Sequence, residues 1–196
     1  MLAVRSNYGN ESIALIQFLY EKITQGASFG EIFVVYINTG WAASNWEERV
    51  KQGEAFVRAC GFTPISLTSK ASFADLVIDR KSFPSRKFQW CAGFLKGLPL
   101  LDWLDKEDPS GEYRIALPKR QTIYRSNLPE TIEECPYHGD REVWHPMVNV
   151  TDEERNILIK SAGFSLLSHR SLECDPCVNS TEQELMHLSD NDKQKL

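Results

Sequence analysis

Long apolar runs are missing from this 196-residue sequence, and so is any surplus of positive charge. No stretch approaches the ~20 apolar residues of a membrane-crossing helix. The N-terminus lacks the basic start and apolar stretch of a secretory signal. The expectation is a cytoplasmic protein with no membrane partner. Lys plus Arg is 22 and Asp plus Glu is 27, a formal net charge of -5. That excludes a generally basic, nucleic-acid-coating surface and leaves room for a local basic pocket. Neither a Walker A loop nor a Rossmann glycine fingerprint occurs, and there is no internal repeat or low-complexity block. Five cysteines in a reducing compartment do not make a disulfide framework, so they need another explanation.

What is present is an ordinary globular composition, 42% apolar and 25% charged, long enough to bury a full core without staples. Leu2–Val4 is a short apolar start. Ile13, Leu15, Ile16, Leu19, Tyr20 and Ile23 then share one face of a helix over Ser12–Thr24, which ends at Gly26. Ile32–Ile37 (IFVVYI) reads as a buried parallel strand. Trp46, Val50, Gly53, Val57 and Cys60 step along a second helix that stops at Gly61. A third strand at Pro64–Leu67 and a short helix at Phe73–Ile78 follow. This βαβαβα alternation predicts an α/β fold, a doubly wound parallel sheet with ligands at the carboxyl ends of its strands.

The second half is less regular. A helix over Phe94–Lys106 is expected to break at Pro99, with short strands at Arg114–Leu117 and Thr122–Tyr124. Thr151 and Glu154 form a capping box for a helix closed by Gly163. Ser180 to Gln183 repeats the box pattern ahead of a last helix through Leu188. Residues 1–188 are read as one domain and 189–196 as a polar, frayed tail.

Three groups of residues could carry chemistry. Ser6, Asn7, Tyr8, Gly9, Asn10, Glu11 and Ser12 link the first strand to the first helix. Unpaired N–H groups at such a helix start hold phosphate, and small polar residues let it approach; an ordinary N-cap loop has the same look. The second group is the thiols. Cys174-Asp175-Pro176-Cys177 has the C-x-x-C spacing that lets two thiolates grip one centre, and Cys135-Pro136-Tyr137-His138 repeats it with a histidine. Cys135, His138, Cys174 and Cys177 would satisfy a structural zinc. Cys91, Cys135, Cys174 and Cys177 would suit an iron–sulfur cluster. A metal-free thiol pair is the third reading. Cys60, on a helix stripe, is expected in the core. The third group is basic: Arg80, Lys81, Arg86, Lys87, Lys96, Lys119, Arg120, Arg125 and His169-Arg170, with Arg125 and Arg170 the better anion ligands. Trp41, directly after the second strand, is the one aromatic suspected of meeting a nucleobase.

The loop Asn7–Ser12 resembles a diverged PP-loop of the adenine-nucleotide alpha-hydrolase superfamily, whose pattern is Ser-Gly-Gly-Lys-Asp-Ser. Asn7, Tyr8, Asn10 and Glu11 depart from it, while Gly9 and Ser12 match. Val34–Gly40 resembles the second strand of the phosphoadenosine phosphosulfate (PAPS) reductase family, with Asn38 in place of the aspartate ahead of Thr39-Gly40. Trp90–Pro99 resembles that family's Cys-x-x-x-Leu-Lys-x-x-Pro segment, which contributes Cys91 and Lys96. Arg125 and Glu130-Thr131 resemble a loosened Gly-x-Arg-x-x-Glu-Ser loop. Val143–Pro146, Thr151, its helix and Gly163-Phe164 follow the same layout.

The resemblance implies an adenine nucleotide, ATP or PAPS, held by Ser6–Ser12 with Asn38, Thr39 and Gly40, and Lys96 and Arg125 as catalytic residues. It favours the iron–sulfur set over zinc. It also implies ATP-dependent adenylation followed by sulfur transfer to a nucleic-acid or small-molecule acceptor, and a homodimer is compatible with it. The alternatives are a sulfonucleotide reductase and a nucleotide-binding accessory subunit without catalysis. Thioredoxin-dependent reduction needs a free nucleophilic thiolate. In the family it sits in a C-terminal Glu-Cys-Gly-x-His segment, whereas this sequence has no cysteine after Cys177. The expectation is therefore against that reductase.

Overall fold

The computed structural model describes residues 1–121, 127–186 and 188–193. The chain begins with strand β1 (Leu2–Ser6), helix α1 (Asn10–Thr24), β2 (Ile32–Asn38), α2 (Trp46–Ala59), β3 (Thr63–Thr68) and α3 (Phe73–Arg80). Apolar residues alternate along β1 and β2, so each strand feeds two cores. Leu2, Val4, Ile32, Val34 and Tyr36 meet α1 and α2 on one face of the sheet; Ala3, Val35 and Ile37 join the core on the other.

The long segment from Trp90 runs as a short turn α4 (Trp90–Ala92), a π-helical turn at Gly93–Gly97, and α5 (Leu98–Glu107). Pro99 does not break this run. It sits in the first turn of α5, where a missing N–H costs nothing. Leu100 and Leu104 of α5 cover the second face of the sheet.

Strands β4 (Arg114–Ala116), β5 (Thr131–Cys135) and β6 (Arg141–Trp144) complete a six-stranded sheet of order β3-β2-β1-β4-β6-β5. All neighbouring pairs are parallel except β5 with β6, which pair antiparallel through an irregular register between Ile132 and Cys135. The chain winds outward from β1 through β2 to β3, then crosses back to place β4 on the opposite side of β1. The α/β doubly wound expectation is met, and its topological switch lies between β1 and β4, where such folds open a crevice.

The end of the chain holds α6 (Asp152–Ser161), α7 (Glu182–Met186) and α8 (Asp190–Lys193). Thr151 and Glu154 form the expected capping box of α6. The second box is shifted by one residue: Thr181 accepts from the Glu184 N–H, and Glu184 accepts from the Thr181 N–H. Within the segment read as the polar tail, Ser189 caps α8 and Asp192 is buried. Arg125 and the strand expected at Thr122–Tyr124 lie outside the described residues.

Candidate functional site

At the switch point the ends of β1, β2 and the segment after β4 enclose a cleft of about 360 Å³, lined by Arg5, Ser6, Asn7, Ser12, Ile37, Gln89, Lys96, Leu117, Pro118, Lys119 and Glu173. Three of these are cations from distant parts of the chain. Arg5 is the penultimate residue of β1, Lys96 lies in the π-helical turn and Lys119 follows β4. Burial lowers the pKa of Arg5, and the Glu173 carboxylate opposes that shift. Glu173 accepts from Lys96 Nζ at 2.7 Å and from Asn7 Nδ2 at 3.0 Å.

The loop into α1 folds on its own side chains. Asn7 donates its N–H to Ser12 Oγ at 3.1 Å, and Ser12 Oγ donates back to Asn7 Oδ1 at 2.9 Å. The Gly9 N–H also donates to Asn7 Oδ1, at 3.0 Å. A Cβ on Gly9 would meet Ser171 Cβ at 3.0 Å, so only glycine fits without moving the C-terminal segment. Tyr8 takes a left-handed backbone (φ 56) and drives its ring into the core beside Tyr36 and Gly53. Asn10 faces away from the cleft and exchanges two hydrogen bonds with the Leu167 backbone. Glu11 is bound by Arg120 through two contacts and by Arg155. Of the seven loop residues predicted for the nucleotide, Ser6, Asn7 and Ser12 line the cleft, while Tyr8, Gly9, Asn10 and Glu11 shape and anchor the loop.

The structure does not set Asn38-Thr39-Gly40 directly opposite that loop. Asn38 and Gly40 line a separate depression toward α2. Between the two runs the segment from Ser171 to Pro176. Asn7 Nδ2 donates to Ser171 Oγ, Ala43 N–H to the Leu172 carbonyl, Thr39 Oγ1 to the Glu173 carbonyl, and Asp175 N–H to the Trp41 carbonyl. Trp41 packs on Phe73 and donates its indole N–H to the Pro176 carbonyl, so it props this segment rather than standing ready for a base.

Cys91, Cys174 and Cys177 line one small cavity of about 80 Å³ together with Gln89, Lys96, Arg170 and Asn179. The Cys174 and Cys177 thiols share a hydrogen bond, which raises the Cys174 pKa and lowers that of Cys177. The Asn179 N–H and Arg170 add to the stabilisation of the Cys177 thiolate. Burial raises Cys91.

Cys135 and His138 are elsewhere. Cys135 is buried in the core beneath α5, and its Sγ lies 3.4 Å from His138 Nδ1. Burial pushes His138 down to about 4, helped by Arg5 and Lys119. The structure thus brings together three of the five predicted metal ligands and not the other two. Among the described residues, no group of three or more His, Cys, Asp or Glu side chains stands close enough to grip a single metal ion. Cys60 is half-buried against the core, its pKa pushed up to about 11 by burial.

Arg5 and Glu173 escape sequence reasoning. The one available signal for Arg5 is its place at the carboxyl end of a strand, next to the loop. Nothing local marks Glu173.

No protein-family model matches the sequence, and no curated protein does. Solved structures do. The crystal structure of PAPS reductase from Candida auris, a phosphate complex, superposes with a TM-score of 0.55 at 12% identity, over 84% of this chain and 74% of that one. The U34-tRNA thiolase NcsA from Methanococcus maripaludis, determined with its [4Fe-4S] cluster, gives a TM-score of 0.60 at 12% identity. That match spans 99% of this chain and 66% of the thiolase. The chain has the fold of these two proteins.

Proposed function

We propose that the chain binds an adenine nucleotide in the cleft between β1 and β4 and uses ATP to adenylate an acceptor that then receives sulfur at the neighbouring thiol pocket. One observation carries the reading: Gln89 and Lys96 line both the cationic cleft and the cavity of Cys91, Cys174 and Cys177. An acceptor activated in the first space is within reach of sulfur held in the second.

Arg5, Lys96 and Lys119 supply charge for phosphate oxygens, and the first turn of α1 adds oriented N–H groups. An acceptor oxygen attacks the α-phosphorus and pyrophosphate leaves, its charge met by these cations. Sulfide then attacks the adenylated carbon and AMP leaves with the oxygen.

The three thiols fit an iron–sulfur cluster better than zinc. Cys91, Cys174 and Cys177 would hold such a cluster, whereas a structural zinc would need a fourth protein ligand, and among the described residues of this cavity there is none. When bound, such a cluster supplies an iron site able to carry sulfide. The thiolase that shares the fold holds a [4Fe-4S] cluster, which supports the assignment.

A nucleotide-binding accessory role is the second reading. It is favoured by Asn10, where the PP-loop lysine is replaced by an amide engaged with the Leu167 backbone.

Anaerobically purified protein tests both. ATP should bind, Lys96→Ala should weaken binding about tenfold, and pyrophosphate should be released when an acceptor is present. Cys91→Ser, Cys174→Ser and Cys177→Ser should each lose iron, and Cys135→Ser should keep it. Failure to bind any adenine nucleotide overturns the proposal. Binding without pyrophosphate release from any acceptor leaves the accessory role.

A further inference from the structure

We propose that the exposed segment from Arg80 to Phe88 is a docking surface for single-stranded nucleic acid, which it leads to the thiol pocket. Within these nine residues lie Arg80, Lys81, Arg86 and Lys87 and no acid, in a chain whose net charge is -5. The nearest acids in sequence are Asp75 and Asp79 on α3. Phe83 and Phe88 are each 64% exposed. Large aromatic faces left in water beside cations have the composition that binds single strands, with rings stacking on bases and cations following phosphates.

The segment is built to hold these groups in place. Ser85 and Phe88 exchange both backbone hydrogen bonds at 3.1 Å, closing a tight turn with Arg86 and Lys87 at its two corners. The ring of Phe83 lies 6.4 Å from that of Phe73, which stacks on Trp90 at 6.0 Å. Arg80 lies over the rings of Trp90 and Phe94 at 5.0 and 4.7 Å. Phe83 therefore stands on a fixed aromatic base, while Phe88 is held by its place in the Ser85–Phe88 turn, and less ordering is required when a strand binds.

The surface also points somewhere. Arg86 Nη2 donates to the Ser180 carbonyl and Gln89 Nε2 to Asn179 Oδ1, which fastens the segment to the loop after Cys177. Gln89, the residue after Phe88, lines both the cleft and the thiol cavity. A strand stacked on Phe83 and Phe88 would have its next base at the mouth of those spaces.

An acidic protein segment would use the cations and leave the phenylalanines unexplained. A lipid surface is served by a long amphipathic helix face, and here the rings sit on a two-residue turn and its flank. The purpose given to the strand, accepting sulfur, rests on the function proposed above; the surface does not.

The test uses the full chain, a labelled 15-nucleotide oligouridylate, the corresponding oligodeoxythymidylate, an RNA duplex and anionic vesicles, with ATP binding measured in parallel. Binding to either single strand is expected, falling with salt. Phe83→Ala and Phe88→Ala should each weaken it about tenfold. Lys87→Gln should reduce the salt slope by about 0.7. ATP affinity should be unchanged in all three variants. Absence of strand binding at low salt overturns the inference. So does a preference for the duplex or the vesicles, or variants that bind the strand as well as the parent. Strand binding without ATP binding would support this surface while removing the nucleotide reading.

Discussion

Glu173 is the one carboxylate among the described residues that line the cationic cleft, where the proposed reading puts phosphate. Its carboxylate takes the ammonium of Lys96 and the amide of Asn7, and its field reaches Arg5. The Lys96–Glu173 pair is mostly buried, with side-chain exposures of 17% and 14%, so solvent screens it weakly. In the proposed reading, an incoming nucleotide must compete for Lys96 and approach a like charge. Glu173→Gln should therefore bind ATP more tightly, by about fivefold or ~1 kcal/mol, and calorimetric titration reads it directly. Weaker binding in this variant would mean that the carboxylate assists the nucleotide. Asn7 serves the loop and Glu173 at once: its Oδ1 accepts from Ser12 and Gly9 while its Nδ2 donates outward. An aspartate there could not donate, which gives a physical reason for the amide in this chain.

Helix α2 shows how an element is fitted to the site from behind. Gly53 lies in its middle, a position where alanine ordinarily stabilises a helix by about 1 kcal/mol. Here a Cβ would stand 2.2 Å from the ring of Tyr8, which is itself fully buried. Gly53→Ala should thus lower stability by about 2–3 kcal/mol instead of raising it. The same change should loosen ATP binding, because Tyr8 and Asn7 are neighbours in the loop. Chemical denaturation and nucleotide titration measure the two effects, and a stabilised variant would contradict this packing. The stripe from Trp46 to Cys60 is legible in the sequence because it is local and periodic, as is IFVVYI of β2. The β5–β6 pair is not legible. Thr131–Cys135 is an exposed edge strand with Glu133 and Glu134 in succession, and its register is irregular. Arg141 of β6 is buried with its charge met by Asp108, at the end of α5, at 2.7 Å. Such a partnership, 33 residues apart, leaves no local mark. The candidate site divides in the same way. The loop Ser6–Ser12 and the C-x-x-C are contiguous motifs, whereas the meeting of Arg5, Lys96, Lys119 and Glu173 is a product of topology.

At the level of the whole molecule, one sheet sets both spaces. The crossover that puts β4 beside β1 opens the cleft, and the segment from Trp90 to Gly97 closes one side of it while carrying Cys91. The C-terminal segment then crosses the strand ends, fastened at Asn7, Thr39, Trp41 and Ala43. Along it, Glu173 belongs to the cleft and Cys174, the next residue, to the thiol cavity. A single peptide unit separates the two cavities. In the proposed reading, a coupling free energy between the two is reciprocal: whatever factor the nucleotide imposes on the thiols, the occupant of the thiols imposes on the nucleotide. The alkylation rate of Cys177 should accordingly change severalfold when ATP is bound to metal-free protein, and prior alkylation should change ATP affinity in the same sense. Identical rates with and without ATP would show the two sites to be energetically independent. In the proposed reading the peptide bond after Glu173 is a balance with its two pans one residue apart, and the alkylation rate is its pointer.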